Sequence, residues 1–292
     1  MAGVRLEFAQ FGHFDYFNIY RNSVSTAIEN LGQPIGTSST MYHEDFTTEP
    51  NNDYYYRIGV IRDSIEEFSE EIYIRAAVGD EYFSNVVMIS NMSAAISDSL
   101  INDVKEHIFT LRAGSAFIID DSNACDGKAL FVDGGVQSAT SNDWNFDGKF
   151  TIEMRFKFES HQMYGGILCC ASPDVYWKGW NLLFNGNTNV LALELNQTFQ
   201  LFSNITITAN VYYDIAFDRD ENNIVRLYVN GNVVAQGTYS GAINTAGSVL
   251  LLGLERTFAY KTVATYDAIR ITKGVARYAG AYVPMNKPYF EF

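Results

Sequence analysis

The stretch Val211-Tyr-Tyr-Asp-Ile-Ala-Phe-Asp-Arg-Asp220, followed by Arg226-Leu-Tyr-Val-Asn-Gly-Asn-Val-Val-Ala-Gln236 and closed by Asp267-Ala-Ile-Arg-Ile-Thr-Lys-Gly-Val-Ala-Arg-Tyr278, decides the fold of this chain. The first two runs alternate apolar and polar residues with the period of a pleated strand. Asn230-Gly231 between the second run's halves supplies the positive φ values of a two-residue turn. That turn sets Leu227 and Val229 against Val233 and Ala235. The third run ends in a Gly-containing bend. Three such strands describe half of a β-sandwich and carry no catalytic signature.

Other segments repeat the pattern. Thr151, Glu153, Arg155 and Lys157 alternate with Ile152, Met154, Phe156 and Phe158, which predicts a strand with one wet and one dry face. Ser248-Val-Leu-Leu-Leu252, enclosed by Gly247 and Gly253, is apolar on both faces and belongs in the middle of a stacked sheet. Nearer the start, strands are predicted at Val4 to Ala9, Phe14 to Asn22, Tyr54 to Arg62 and Glu71 to Arg75, with weaker candidates between Asn22 and Thr47. Tyr54, Tyr56, Ile58 and Val60 then point inward. Ala94 to Leu111 reads two ways. Ile96, Leu100, Val104 and Ile108 at near-helical spacing suggest a short helix with Asp103 and Lys105 outward, and an irregular excursion is the alternative. Gly79-Asp80 is a boundary signal, dividing the chain into residues 1–79 and 80–292.

In the first part, Phe17-Asn-Ile-Tyr-Arg21 and Pro50-Asn-Asn-Asp-Tyr-Tyr-Tyr-Arg-Ile58 resemble the third and sixth strands of the fibronectin type III fold. The resemblance implies that Tyr54 is a corner tyrosine, its ring buried and its hydroxyl bonded to nearby backbone. The family's early tryptophan is absent, and Phe8 or Phe11 stands as its replacement. The second part resembles the concanavalin A-like, laminin-G-like jelly roll found in bacteriophage virion proteins. The residues that carry this are Tyr82-Phe-Ser-Asn-Val-Val-Met-Ile89, Gly127-Lys-Ala-Leu-Phe-Val-Asp-Gly134, Asp143 to Phe158, the 211–236 hairpin and the closing Arg270 to Tyr278 with its continuation to Pro284. The expected fold class is therefore all-β, a small fibronectin type III-like sandwich followed by a concanavalin A-like jelly roll.

Composition narrows function. Twenty Lys and Arg against 34 Asp and Glu give a net charge of −14, and both parts of the chain are acidic. Nucleic acid is repelled by such a field, because its affinity comes from phosphate neutralisation. No window approaches 18 uncharged apolar residues, and Met1-Ala-Gly-Val-Arg-Leu-Glu-Phe8 has no basic region and apolar core, so neither membrane insertion nor a signal peptide is expected. The three cysteines, Cys125 and the adjacent Cys169 and Cys170, make a poor disulfide framework and are expected reduced.

Sandwiches of this kind include glycoside hydrolases, whose retaining members hold two carboxyl groups about 5–5.5 Å apart. No Glu-x-Asp-x-x-Glu run exists, and Ala192-Leu-Glu-Leu-Asn196 offers one acid. The histidines, His13, His43, His107 and His161, lie in separate segments and read as surface or turn residues. Calcium, the only cofactor suggested, has candidate ligands in Asp120, Asp121, Asp126 and Asp133, although acidic loops are also ordinary turn formers. A glycan site is suggested by Tyr176 and Trp177 with Asn185 and Asn187, aromatic faces beside amides, against a plain aromatic hairpin with Trp180 and Leu182 in the core.

The expectation is a non-enzymatic part of a bacteriophage virion, in its tail, baseplate or fibre, made in the host cytoplasm. Its partners would be other virion proteins, further copies of itself in a homo-oligomer, and a host-surface polysaccharide. The alternatives are a carbohydrate-active accessory module or weak glycoside hydrolase, and a capsid decoration protein.

Overall fold

The computed structural model describes residues 3–49, 52–76, 79–96, 98–171, 178–243, 247–278 and 280–291. Among these the regular elements are strands and three short 3-10 turns, and the chain separates into two compact units, residues 1–81 and 82–291. No helix among the described residues is long and apolar enough to cross a membrane.

The first unit holds β1 (Val4–Glu7), β2 (Tyr16–Asn22), β3 (Gly36–Ser38), β4 (Tyr42–Asp45), β5 (Asp53–Arg62), β6 (Ile65–Phe68) and β7 (Ile72–Arg75). β1 pairs with β4, while β3, β2 and β5 form a second sheet. The outer edge of β5 is shared, Asp53 to Tyr56 pairing with β7 and Gly59 to Arg62 with β6. Val4 and Leu6 meet Phe17, Ile19, Tyr54, Tyr56 and Ile58 in one core, the inward set that alternation predicts for β5, with Val60 half-buried at its margin. The buried Tyr54 accepts a hydrogen bond at its hydroxyl from the Glu49 N–H at 2.9 Å. Phe8 packs against Phe17 with ring centroids 4.7 Å apart, whereas Phe11 is exposed. β6 escapes a reading by turn signals, because Asp63 and Ser64 take positive φ (48° and 66°) without a glycine to mark the hairpin.

The second unit contains β8 (Val86–Ser90), β9 (Phe109–Asp120), β10 (Lys128–Ser138), β11 (Phe150–His161), β12 (Gly166–Ala171), β13 (Trp180–Phe184), β14 (Val190–Leu195), β15 (Phe199–Thr206), β16 (Tyr213–Arg219), β17 (Ile224–Val229), β18 (Asn232–Thr238), β19 (Val249–Leu252) and β20 (Thr262–Lys273). Hydrogen bonding runs β15-β14-β13-β12-β19-β10-β20-β11-β16-β17-β18, with β9 beside β10 and β8 beside β20. β10 is the joint of the sandwich, since Leu130 to Asp133 pair with β20 and Val136 and Gln137 pair with β19. The inward residues of both layers, among them Phe156, Trp180, Leu193, Phe217 and Leu252, make one continuous core. β19 is buried throughout and lies between β10 and β12, as its two-faced apolar run predicts. Asn230 and Gly231 have φ of 48° and 77°, and the turn pairs Val229 with Asn232 before a bulge sets Leu227 opposite Ala235.

Two expectations are corrected. The polar face of β11 is not wet, for Thr151 is fully buried and Glu153 nearly so. The chain beyond β20 lies across that face. The Thr151 hydroxyl donates to Val275 O at 3.0 Å, Tyr278 donates to Glu153 at 2.8 Å, and Arg270 meets Glu153 at 2.9 Å beneath the Tyr289 ring. Residues 94–111 hold no α-helix among those described. Asp103, expected outward, is buried, and its carboxylate accepts the N–H groups of Ile89, Lys105 and His107 at 2.9–3.3 Å. A side chain that takes local N–H groups competes with the helical ladder. The buried anchors become Ile101 and Phe109, while Ile96 and Ile108 are exposed.

Candidate functional site

The site grows out of the meander β13-β14-β15. Alternation sends Trp180, Leu182 and Phe184 into the core together with Leu191, Leu193 and Leu195. Asn181 and Glu194 are therefore turned to the opposite face, and register aligns Asn181 with Glu194 and Glu194 with Gln200. These three side chains form a polar row across three strands, a cross-strand arrangement in which neighbours touch. Gln200 Nε2 donates to Glu194 Oε1 at 2.7 Å.

Above the row lies the loop from β19 to β20. The Glu255 carboxylate organises it by accepting the Thr257 and Ala259 N–H groups at 2.7 and 2.8 Å and the Thr257 hydroxyl. The Glu255 N–H in turn reaches Tyr260 O at 3.1 Å. This compact turn lays Arg256 over the row, where its Nη2 pairs with Glu194 Oε2. Phe258 anchors the loop against a small apolar cluster of Cys169, Val249 and Leu251. Between loop and strands is a cavity of about 360 Å³, bounded also by Tyr164, Leu183, Gln197 and Tyr260. Tyr164 and Tyr260 meet edge to face with centroids 5.8 Å apart, and Tyr164 holds a left-handed φ of 63° at the rim.

Among the described residues, two polar atoms that belong to residues lining the cavity have no partner. Asn181 Oδ1 and Arg256 Nη1 are both buried, in residues only 2% and 3% exposed. Each such group costs about 1–3 kcal/mol unless something outside the chain satisfies it. Both carboxylates, by contrast, are already taken by Arg256, Gln200 or loop N–H groups. The arrangement suits holding a polar ligand more than proton transfer, which needs an acid or base free to reach the reacting group.

The residues singled out from sequence fare differently. Tyr176 and Trp177 lie outside the described residues. Asn185 closes the β13–β14 turn, its N–H on Val190 O at 2.8 Å, and Asn187 is exposed in that turn. Gly186 O of the same turn accepts the Tyr164 N–H at 3.4 Å, so the turn borders the cavity's aromatic rim. The four candidate calcium ligands do not converge. Asp120 pairs with Lys128 at 2.7 Å, Asp121 with Lys157 at 2.5 Å and Tyr212 at 2.9 Å, and Asp133 with Lys261 at 2.6 Å, while Asp126 is exposed. Asp133 lies across from Ser115 and Asp120 across from Lys128, five residues apart along β10, or roughly 17 Å. Among the described residues no group of three His, Cys, Asp or Glu side chains is placed to hold a metal.

His107 is not a simple surface histidine. Its ring bridges Asp103 at 2.6 Å and Asp143 at 3.0 Å; burial favours the neutral ring, yet the two carboxylates outweigh it and raise the pKa. Burial with the nearby Asp267 carboxylate pushes the Cys125 thiol up to about 12. Asp214 and Asp218 are buried in β16, and burial pushes their carboxyls up to about 6 and about 7. Sequence reasoning missed Glu255 and Arg256. Their signal was a charged pair in Gly253-Leu-Glu-Arg-Thr-Phe-Ala-Tyr260, directly after a run apolar on both faces.

A jelly roll with a polar cavity on one sheet face defines a lectin-like sandwich. A family model described as the concanavalin A-like lectin/glucanases superfamily matches residues 131–276, half of the 292-residue chain, and the chain belongs to that superfamily. Two solved structures share the fold. One is the binding domain of Paraclostridial Mosquitocidal Protein 1, at 13% identity and a TM-score of 0.51, covering 66% of this chain and 49% of that one. The chain thus spans about half the length of that binding domain. The other is domain 4 of AbnA, a GH43 extracellular arabinanase from Geobacillus stearothermophilus, in complex with arabinotriose. It is 17% identical with a TM-score of 0.50, covering 69% of this chain and 96% of that domain. No curated protein matches the chain.

Proposed function

We propose that this chain is a non-catalytic recognition part of a bacteriophage virion, belonging to its tail, baseplate or fibre. The jelly roll binds saccharide on the host surface, and the first unit, a fibronectin type III-like module over residues 1–79, anchors or spaces it against other virion proteins in a homo-oligomer. The observation that carries the binding role is the cavity under Arg256, whose lining residues include, among the described residues, an unpartnered buried donor and an unpartnered buried acceptor while its two carboxylates are occupied. Membership of a lectin-containing superfamily supports the same reading. The virion context rests on the closing Arg270 to Tyr278 segment and its resemblance to phage sandwich domains. The Tyr54 corner, with its ring buried and its hydroxyl on backbone five residues upstream, supports the fibronectin-like reading of the first unit.

A second reading, an accessory module that delivers a carbohydrate-active enzyme to its polymer, is favoured by the likeness to the arabinanase domain. Two measurements separate these. Cryo-EM of purified particles should find the chain in the tail or fibre, and its absence from virions would remove the phage role. A glycan array should show binding without release of reducing sugar, and sugar release would make the chain an enzyme.

A further inference from the structure

We infer that the cavity beneath Arg256 selects an uncharged saccharide, with one hydroxyl seated between Arg256 Nη1 and Asn181 Oδ1; this rests on the saccharide-binding role proposed above. The argument is one of complementarity. Arg256 Nη1 can only donate, and Asn181 Oδ1 can only accept. A hydroxyl does both and satisfies the two together. A carboxylate, sulfate or phosphate would serve the guanidinium but present lone pairs to Asn181 Oδ1. An ammonium would serve Asn181 and oppose Arg256.

Charge points the same way. One guanidinium faces two carboxylates, Glu194 and Glu255, in the lining, so the site is net negative inside a chain of net charge −14. An anionic sugar entering it meets repulsion that its pairing with Arg256 must overcome, and Arg256 is already shared with Glu194. The volume, about 360 Å³, falls at the lower end of small-ligand sites and matches a short saccharide better than a long chain lying in a groove. The exposed Tyr164 beside Tyr260 offers an apolar face for the C–H side of a sugar ring at one wall. Specificity of this kind is strong, because a ligand lacking the hydroxyl leaves both buried groups unpaired.

The test uses the full chain and matched probes that differ only in a C6 hydroxymethyl or carboxylate, galactose against galacturonate and glucose against glucuronate on an array, followed by calorimetry on the best neutral binder. Neutral members should bind at least tenfold more tightly than their anionic counterparts. Asn181→Leu removes the acceptor at nearly constant size, and Arg256→Lys keeps the charge on Glu194 but loses the second nitrogen of the planar fork. Each should weaken the neutral ligand at least tenfold. The Asn181→Leu variant should melt no lower than the parent, since an unpartnered buried oxygen has been replaced by an apolar group. A residue present only for structure would instead show a lowered melting temperature and unchanged affinity per folded molecule. Equal or tighter binding of the anionic sugars, or undiminished affinity in both variants, overturns the inference and leaves the saccharide-binding role standing. Failure to bind any glycan overturns both.

Discussion

Arg219 is fully buried at the end of β16 with no carboxylate in ion-pair distance among the described residues, and burial alone accounts for the lowering of its pKa. Its guanidinium is held by backbone carbonyls. Nε and Nη2 donate to Gly148 O at 2.8 and 2.6 Å, Nη1 to Gly241 O at 2.7 Å, and Nη2 also to Phe146 O at 3.2 Å. The Phe150 ring lies 5.5 Å from its central carbon. This fork ties the turn before β11 to the loop after β18, beside the Phe146–Ile243 bridge. Arg219→Met removes the fork. Phe146 O keeps its bond from the Ile243 N–H, so Gly148 O and Gly241 O lose their donors. Each lost acceptor costs about 1–3 kcal/mol, lessened because Gly148 is exposed and water can reach it. Removing the uncompensated buried charge returns part of its desolvation penalty, leaving a net loss of about 2–3 kcal/mol. Arg219→Lys keeps the charge and forfeits the planar fork, so a strongly hydrated ammonium is buried with fewer acceptors; its loss should be larger, about 3–5 kcal/mol. Urea unfolding followed by tryptophan fluorescence reads this unit alone, since Trp144, Trp177 and Trp180 are the only tryptophans and all lie in residues 82–291. With a slope of about 3 kcal/mol per molar, the midpoint should fall by roughly 0.7–1 M for Met and by more for Lys. A lysine variant milder than the methionine one would refute the reasoning, because charge and not fork geometry would then be what the carbonyls require.

Three further outcomes are expected. Tyr54→Phe loses the bond to the Glu49 N–H, about 1 kcal/mol, and should lower by roughly 4–8 °C the calorimetric transition that leaves tryptophan fluorescence unchanged; an unmoved transition would detach that bond from the stability of the first unit. For Asp218, burial outweighs the Tyr228 and Arg226 bonds and raises the folded pKa from 3.8 to about 7, so the folded state holds the extra proton between those values and stability falls as pH rises from about 4 to 7. Melting temperatures of Asp218→Asn across pH 4–8 should lack this slope, worth about 4 kcal/mol between those two pKa values, and parallel curves for parent and variant would reject the assignment. Truncation after Gly274 uncovers the buried Glu153 and Arg270 and should cost about 3 kcal/mol or more, read as faster amide exchange in β11 and β20; unchanged protection would mean that the terminal segment does not seal that face.

How much of this was legible depended on the range over which each feature is determined. The 211–236 hairpin and the β19 run were readable because period, turn residues and two-sided apolarity are properties of neighbouring residues. Alternation in β11 separated its two faces correctly and still misled about water, since Glu153 is covered by Tyr278 and Tyr289, and no local pattern says what will lie across a strand. The spacing of Ile96, Leu100, Val104 and Ile108 was helical by coincidence, and the decisive residue was Asp103, whose carboxylate collects N–H groups from β8 and from the loop.

The cavity makes the same point about function. Asn181 between Trp180 and Leu182 was visible as an amide in an apolar strand, and Glu194 was noted as a solitary acid. Neither means much alone. Register brings them side by side, and a loop some sixty residues later sets Arg256 upon them, at a separation of 62 residues from Glu194. A site whose members are supplied by strand register and a distant loop has no compact sequence motif, neither paired carboxylates nor metal-ligand spacing. The aromatic segment at Tyr176 and Trp177 precedes β13 directly, so it leads into the very strand that carries Asn181. If sugar contacts from that segment add to those of the cavity, Trp177→Ala should weaken binding of the neutral saccharide without altering the preference for neutral over anionic ligands, because that preference is set by Arg256, Asn181 and the two glutamates. A change in charge preference on removing Trp177 would place the selecting group outside the cavity.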